Sequence, residues 1–212
     1  MKKKSWHQKW QRQQQPNKLL HCAKEPQISV WGFFYFRRFY LGYDNAMEKD
    51  QIDKDYDAII PAPFGAIGIR AQDDFLTKIT LIAGKLAEKQ SSQPFVQEIA
   101  KQIKQYLIDP TSPLDMPYAV KGTPYQKRVW RAISAIPAGQ TLSYGELADK
   151  VSSGSRAVAN VCGANQVPLF IPCHRVVAKN GLGGFMQGKE NGLAVKQWLL
   201  DHEQAVSHPG SK

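Results

Sequence analysis

Ser143-Tyr144-Gly145-Glu146-Leu147-Ala148-Asp149-Lys150-Val151-Ser152-Ser153-Gly154-Ser155-Arg156-Ala157-Val158 carries two helix starts in quick succession. Ser143 with Glu146 three residues on is a capping box, which predicts a helix running to about Val151. Ser152-Ser153-Gly154 is a tight connection, and Ser155 reads as the cap of a further helix from Arg156 to about Ala164. Two short helices joined by a small glycine-containing turn form the pattern of a helix-turn-helix. Ordinary helical hairpins share that pattern, so the pair alone leaves the function open.

Working outward, Thr123-Pro124-Tyr125-Gln126 has the same grammar: a capping threonine, proline at the first helical position and a reciprocal glutamine. It opens a helix to about Ile136, which Pro137-Ala138-Gly139-Gln140 ends. Downstream, residues 191–202 read as a closing helix with Leu193, Val195, Trp198, Leu199 and Leu200 inward. Upstream the texture changes. Tyr56 to Ala62, Gly65 to Ala71 and Phe75 to Ala83 are short apolar stretches separated by turn residues, a β-meander signature. Phe95, Ile99, Ile103, Tyr106 and Leu107 follow at helical spacing, and a proline-rich linker covers 109–117. The expected organisation is therefore a small α/β domain over 47–117, a mainly helical domain over 118–205 and a tail over 206–212.

Residues 1–46 show no sustained period. They include a glutamine-rich tract at 11–15 and an aromatic-basic cluster from Trp31 to Tyr40. They are expected to be a basic extension outside the folded domains, with the functional chain starting near Met47. A basic-aromatic arm that grips DNA is the rival reading. The net charge of +10 is unevenly spread. Residues 1–46 hold nine Lys/Arg against two Asp/Glu, 47–120 eight against eleven, and 121–212 eleven against five. An acidic middle beside a basic C-terminal half suits a DNA-facing half, although basic faces are often merely solvated.

No run approaches the roughly 18 apolar residues of a membrane span, and no apolar segment of a signal peptide follows Lys2 to Lys4. Cys22, Cys162 and Cys173 are odd in number and lack metal-ligand spacing, so no structural metal, no cofactor and no disulfide framework is expected. The expected setting is reducing: cytoplasmic, or associated with the nucleoid.

Chemistry concentrates in Ile171-Pro172-Cys173-His174-Arg175-Val176-Val177. A thiol becomes a strong nucleophile as the thiolate, and a nearby imidazole commonly takes its proton. Pro172 fixes its own φ and biases Ile171 towards extended geometry, so Cys173 is expected to leave a strand-like segment. A buried structural cysteine beside a hydrogen-bonded histidine is the plainer reading of Cys-His by itself.

Taken together, Gly122–Gln126, Thr141–Ala148, Arg156-Ala157-Val158, Asn165, Ile171–Val176 and Trp198–Glu203 resemble the methylated-DNA–protein-cysteine methyltransferases, the O6-alkylguanine-DNA alkyltransferases. The resemblance is dense over 120–204, loose over 56–119 and absent over 1–46. It implies a ribonuclease-H-like N-terminal α/β domain, a winged-helix C-terminal domain, and a monomer acting on double-stranded DNA through the minor groove. The implied reaction is a single irreversible transfer of an alkyl group from O6-alkylguanine, with O4-alkylthymine a further substrate, to Cys173. His174 would be its base through an ordered water, Glu203 would orient His174, and Tyr144 would offer its phenol to the guanine. Asn165 would tie the helix pair to the cysteine. Arg156 would fill the stack vacated by a flipped base, with Ser155, Ala157, Ala159 and Gly163 allowing close approach to DNA.

Each residue has a plainer reading beside that one. Tyr144 fits a core tyrosine, Arg156 a solvated helix-end charge, Glu203 a surface carboxylate and Cys162 simple packing. Three other functions remain in view: a non-catalytic lesion sensor, an alkylation-responsive DNA-binding regulator, and a cysteine hydrolase with a Cys-His-Glu triad. Two segments depart from the family pattern. The Ser152–Ser155 connection is shorter, and the loop at 186–191, which borders the alkyl pocket in the family, is longer.

Overall fold

A computed structural model describes residues 54–189 and 191–207. The expectations for residues 1–46, and for the end of the C-terminal tail, lie outside the described residues. Three antiparallel strands come first: β1 (Ala58–Ala62), β2 (Gly65–Gln72) and β3 (Phe75–Ile82), in the order β1-β2-β3. The β2–β3 turn is Asp73-Asp74, both at positive φ (52° and 56°), the geometry a two-residue hairpin needs and one that aspartate tolerates. β2 is central, so its first five residues are all buried and its sequence runs apolar instead of alternating.

Helix α1 (Pro94–Ile108) lies against β1 and β2 and buries Val96, Ile99, Ile103 and Tyr106. Each of these large side chains contributes about 2 kcal/mol of transfer free energy. Helix α2 (Pro124–Ser134) carries the expected capping box at Thr123 and Gln126, and buries Val129, Trp130 and Ile133. A short strand β4 (Leu142–Ser143) leads directly into α3 (Tyr144–Lys150), whose Ser143–Glu146 capping box is also formed. Helix α4 (Ser155–Gly163) follows. A 3-10 turn at Cys173–Arg175 then feeds strand β5 (Val176–Val177), which pairs in parallel with β4. A second 3-10 turn covers Met186–Gly188, and α5 (Gly192–Ser207) closes the described chain.

The small antiparallel sheet and the mainly helical second half match the sequence reading. Three details differ. Gly154, not Ser155, is the N-cap of α4, with φ −105° and ψ 147°, so Ser155 is already helical and exposed. Leu193 is 51% exposed, because the buried stripe of α5 passes through Val195, Leu199 and Leu200 and leaves 193 on the solvent side. Cys173 does not leave a strand. Pro172 has ψ 65°, outside the extended range, and turns the chain into the 3-10 turn. Among the described residues, no helix is long and apolar enough to cross a membrane.

One apolar core holds residues of both halves, among them Ile67 and Ile103 with Trp130, Leu147, Ile171 and Leu199. Backbone bonds add to it. Ile79 of β3 donates to the Gln166 carbonyl (2.9 Å), so the sheet edge abuts the segment that leads to Cys173.

Candidate active site

The 3-10 turn decides the geometry of the site. Its bonds, Cys173 N–H to the Ile171 carbonyl (2.8 Å) and Arg175 N–H to the Pro172 carbonyl (3.0 Å), hold three consecutive side chains in three settings. Cys173 is 7% exposed and faces Asn165. His174 is 1% exposed and faces Glu203.

Asn165, just beyond the C-terminus of α4, donates through Nδ2 to the Ile171 carbonyl (2.7 Å) and to Cys173 Sγ (3.2 Å). Its Oδ1 accepts from the Val167 amide at 3.1 Å. A single side chain thus joins the end of the second helix of the pair to the cysteine turn. Burial pushes the Cys173 thiol above its ordinary pKa, while the Asn165 hydrogen bond and the Lys196 cation pull the other way. The resting group is therefore a thiol. Desolvation dominates here, and His174 is not among the groups that pull the thiol down.

His174 Nε2 lies 2.8 Å from Glu203 Oε1. Burial lowers the histidine pKa; the Glu203 hydrogen bond and charge oppose this. Glu203 is fully engaged. Arg175 donates to it twice, from Nε (2.9 Å) and Nη2 (2.8 Å), the Tyr106 hydroxyl donates at 2.8 Å, and the Gly139 amide at 3.3 Å. Burial pushes the Glu203 carboxyl up, but the His174 and Arg175 hydrogen bonds and charges prevail and hold it well below the usual carboxylate range. An ionised Glu203 accepts a hydrogen bond from the His174 Nε2–H, so the neutral ring carries its lone pair on Nδ1. That Nδ1 is buried and has no hydrogen-bond partner among the described residues. A buried, unpartnered basic nitrogen is costly to fold and useful for taking a proton.

Tyr144, the first residue of α3, is half-buried and donates its hydroxyl to the Gly184 carbonyl at 3.3 Å. Burial raises its pKa to about 12, so the phenol keeps its proton at neutral pH. Tyr144, Cys173 and Asn165 line one pocket of about 530 Å³, together with Cys162 and the 184–189 loop. Cys162 thus forms wall as well as packing, and its thiol is raised to about 12, chiefly by burial. The long loop noted in the sequence borders this pocket, and Gln187 Nε2 anchors it to the Gly163 carbonyl at 2.9 Å.

Of the residues predicted to face DNA, Ser155, Arg156 and Gly163 are exposed on α4, and Ala157 and Ala159 are partly so. Ala159 and Gly163 reach the rim of the same pocket. A Cβ added at Gly163 would meet nothing within 4 Å, so nothing in the chain itself requires glycine there.

Lys196 escaped the sequence reading. It is fully buried on α5, and Nζ donates to the carbonyls of Val176 (2.7 Å), Leu182 (2.6 Å) and Gly184 (3.3 Å). It ties β5 to the pocket loop, and burial lowers its pKa to about 8. A lysine inside the apolar stripe of a helix, between Val195 and Leu199, was the available signal. Arg175 and Tyr106 were also missed as partners of Glu203. No cluster of His, Cys, Asp or Glu among the described residues could hold a metal ion.

Fold and site together define a protein with a buried, hydrogen-bonded cysteine seated behind an exposed helix pair. Residues 124–205 match the family described as "6-O-methylguanine DNA methyltransferase, DNA binding domain". A "Probable methylated-DNA--protein-cysteine methyltransferase" of Acanthamoeba polyphaga mimivirus is 38% identical over 152 residues, covering 69% of this chain and 95% of that protein. A methylated-DNA–protein-cysteine methyltransferase of Methanosarcina acetivorans is 32% identical, covering 70% and 97%. Among solved structures, the O6-methylguanine methyltransferase of Mycobacterium tuberculosis aligns with TM-score 0.57 and 27% identity over 73% of this chain and 94% of that one. The Mycobacterium tuberculosis OGT in complex with DNA aligns with TM-score 0.57 and 30% identity over 69% and 91%. The chain belongs to the methylated-DNA–protein-cysteine methyltransferase family.

Proposed function

We propose that this protein repairs DNA by moving one alkyl group from O6-alkylguanine onto Cys173, once per molecule. The observation that carries the reading is the pairing of Cys173 Sγ with Asn165 in the pocket wall, next to a His174 whose Nδ1 is buried and free. O4-alkylthymine presents the same alkyl–oxygen bond and is a second substrate of this chemistry.

The electron accounting is simple. His174 Nδ1 takes the Cys173 proton through a water, and Glu203 stabilises the imidazolium that results. The thiolate attacks the alkyl carbon in line, a C–S bond forms and the C–O6 bond breaks. The released pair enters the guanine ring, which takes up one proton from the His174 imidazolium through water, in net the proton Cys173 gave up, and ends as neutral guanine. Tyr144, which keeps its proton, donates a hydrogen bond to the base as charge builds on it. The thioether product has no hydrolytic exit, so the protein is consumed. The reaction needs no cofactor.

A stacked guanine cannot reach a pocket this enclosed, so the base must leave the duplex. Arg156 on exposed α4 fills the gap, and Ser155, Ala157, Ala159 and Gly163 let the helix sit close in the minor groove. In this reading residues 118–205 form the winged-helix domain and 47–117 the ribonuclease-H-like companion. The protein acts as a monomer on double-stranded DNA, in the cytoplasm or on the nucleoid. The sensor alternative uses the same helix pair but leaves Cys173 and the buried imidazole without a task.

The test pairs two variants. Cys173→Ala should bind O6-methylguanine duplex as wild type does and transfer nothing. Arg156→Ala should slow transfer from duplex far more than from free O6-benzylguanine. Transfer by the first variant would remove Cys173 as acceptor, and equal slowing in the second would remove the flipping role.

A further inference from the structure

A second concavity, of about 850 Å³, lies outside the alkyl pocket. It contains none of the residues assigned to transfer or to the helix pair. Phe75 and Tyr118 line it and are 46% and 38% exposed, so both rings offer area to a ligand. Backbone bonds set the two segments side by side: Leu76, next to Phe75, donates to the Pro117 carbonyl (2.9 Å) and accepts from the Ala119 amide (2.9 Å). Tyr118 therefore runs beside the start of β3 as an extra parallel partner.

Three cations complete the groove. Lys121, Lys127 and Arg131 are exposed and line it, and none of them is in an ion pair among the described residues. Lys127 and Arg131 are one turn apart on α2, about 6 Å along the helix axis. Asp73 is the single carboxylate of the lining, so the groove is net positive.

We infer that this groove binds a single-stranded nucleic acid segment, separately from the helix pair that faces the damaged base. Half-exposed aromatic rings are stacking platforms, and a row of cations outside ion pairs follows a phosphate backbone; the two together are the recurring means of holding a strand without reading its sequence. An acidic peptide would satisfy the cations but would leave the two rings without stacking partners. One strand separates the groove from the alkyl pocket: Thr77 lines the groove and the next residue of β3, Lys78, lines the pocket.

The inference is tested on the full chain with a short oligothymidylate carrying 5-iododeoxyuridine, cross-linked by light and mapped by peptide mass spectrometry. Cross-links on the peptides holding Phe75 or Tyr118 are expected. The Lys127→Glu/Arg131→Glu double variant should bind the same oligonucleotide at least fivefold more weakly. Its transfer from free O6-benzylguanine should be unchanged, which shows that it is folded and that the alkyl pocket is intact. Cross-links confined to other segments, unchanged affinity in the double variant, or equally tight binding of a polyglutamate peptide would each overturn the inference.

Discussion

Arg175 and Glu203 are joined by two hydrogen bonds, Nε to Oε2 at 2.9 Å and Nη2 to Oε1 at 2.8 Å, while Arg175 Nη1 also holds the Ile136 carbonyl at 2.6 Å. Together with His174, the fork keeps Glu203 an anion against the upward push of burial. It also links the cysteine turn, the end of the α2 segment and α5. Lysine keeps the charge but cannot make both bonds. Arg175→Lys is expected to lower unfolding free energy by about 3 kcal/mol, the scale of a disrupted buried pair. Urea denaturation checks this, and a loss below about 0.5 kcal/mol, typical of a surface position, would contradict the role.

Glu203→Gln keeps the size of the side chain but removes the charge that fixes the His174 tautomer and supports its protonated form. Transfer should slow by about 10²-fold or more, the usual worth of a positioned acid–base group, while lesion-duplex affinity stays near wild type. Single-turnover rates and duplex binding measure the two separately. An unchanged rate would mean that His174 does not act as base.

Stability should fall on the acid side in two stages. His174 has a folded pKa below its ordinary 6.5, so as pH falls below 6.5 the unfolded chain binds a proton that the folded one does not, and folding weakens. Glu203 has a folded pKa below its ordinary 4.5. Its contribution is complete above 4.5 and is lost as pH falls from there towards the folded value. Urea unfolding between pH 8 and 4 should show a decline beginning near 6.5 and steepening below 4.5. His174→Gln should remove the upper stage and shrink the lower one, which Arg175 still supports, and a flat profile in wild type would contradict both assignments.

Gly163 and Gly183 separate the DNA face from the pocket wall. At Gly163 a Cβ meets nothing, so Gly163→Ala should hold or raise stability by up to about 1 kcal/mol and yet slow duplex repair. Gly183 has φ +71°, and a Cβ there would lie 2.7 Å from Tyr144 Cε2. Gly183→Ala should therefore lower stability and slow transfer from duplex and free base alike. Thermal unfolding with both substrates tests the pair. If Gly163→Ala repaired duplex at the wild-type rate, α4 would not approach DNA at that residue.

How much of this was legible in the sequence follows the range of each interaction. Both capping boxes join residues three apart, and both formed as read at Thr123–Gln126 and Ser143–Glu146. The three strands were legible because Pro-Phe-Gly and Gln-Asp-Asp punctuate short apolar runs. The α4 cap lies one residue earlier than the sequence suggests, because Gly154 takes the extended cap conformation and no side chain caps the first turn. The path of the chain at Cys173 depends on Pro172 ψ, which proline leaves free. Arg175–Glu203, Tyr106–Glu203 and the Lys196 carbonyl cage join distant segments. Nothing local marks such partners, beyond a charge where an apolar residue would be usual.

The central claim is that Cys173 receives the alkyl group and is consumed. The direct measurement is intact and peptide mass spectrometry of the protein after incubation with excess O6-methylguanine duplex. One methyl group per molecule, located on the peptide carrying Cys173 and never exceeding one however long the reaction runs, is the predicted result. Tight duplex binding with no adduct, or a methyl group on Cys162 in place of Cys173, would contradict it.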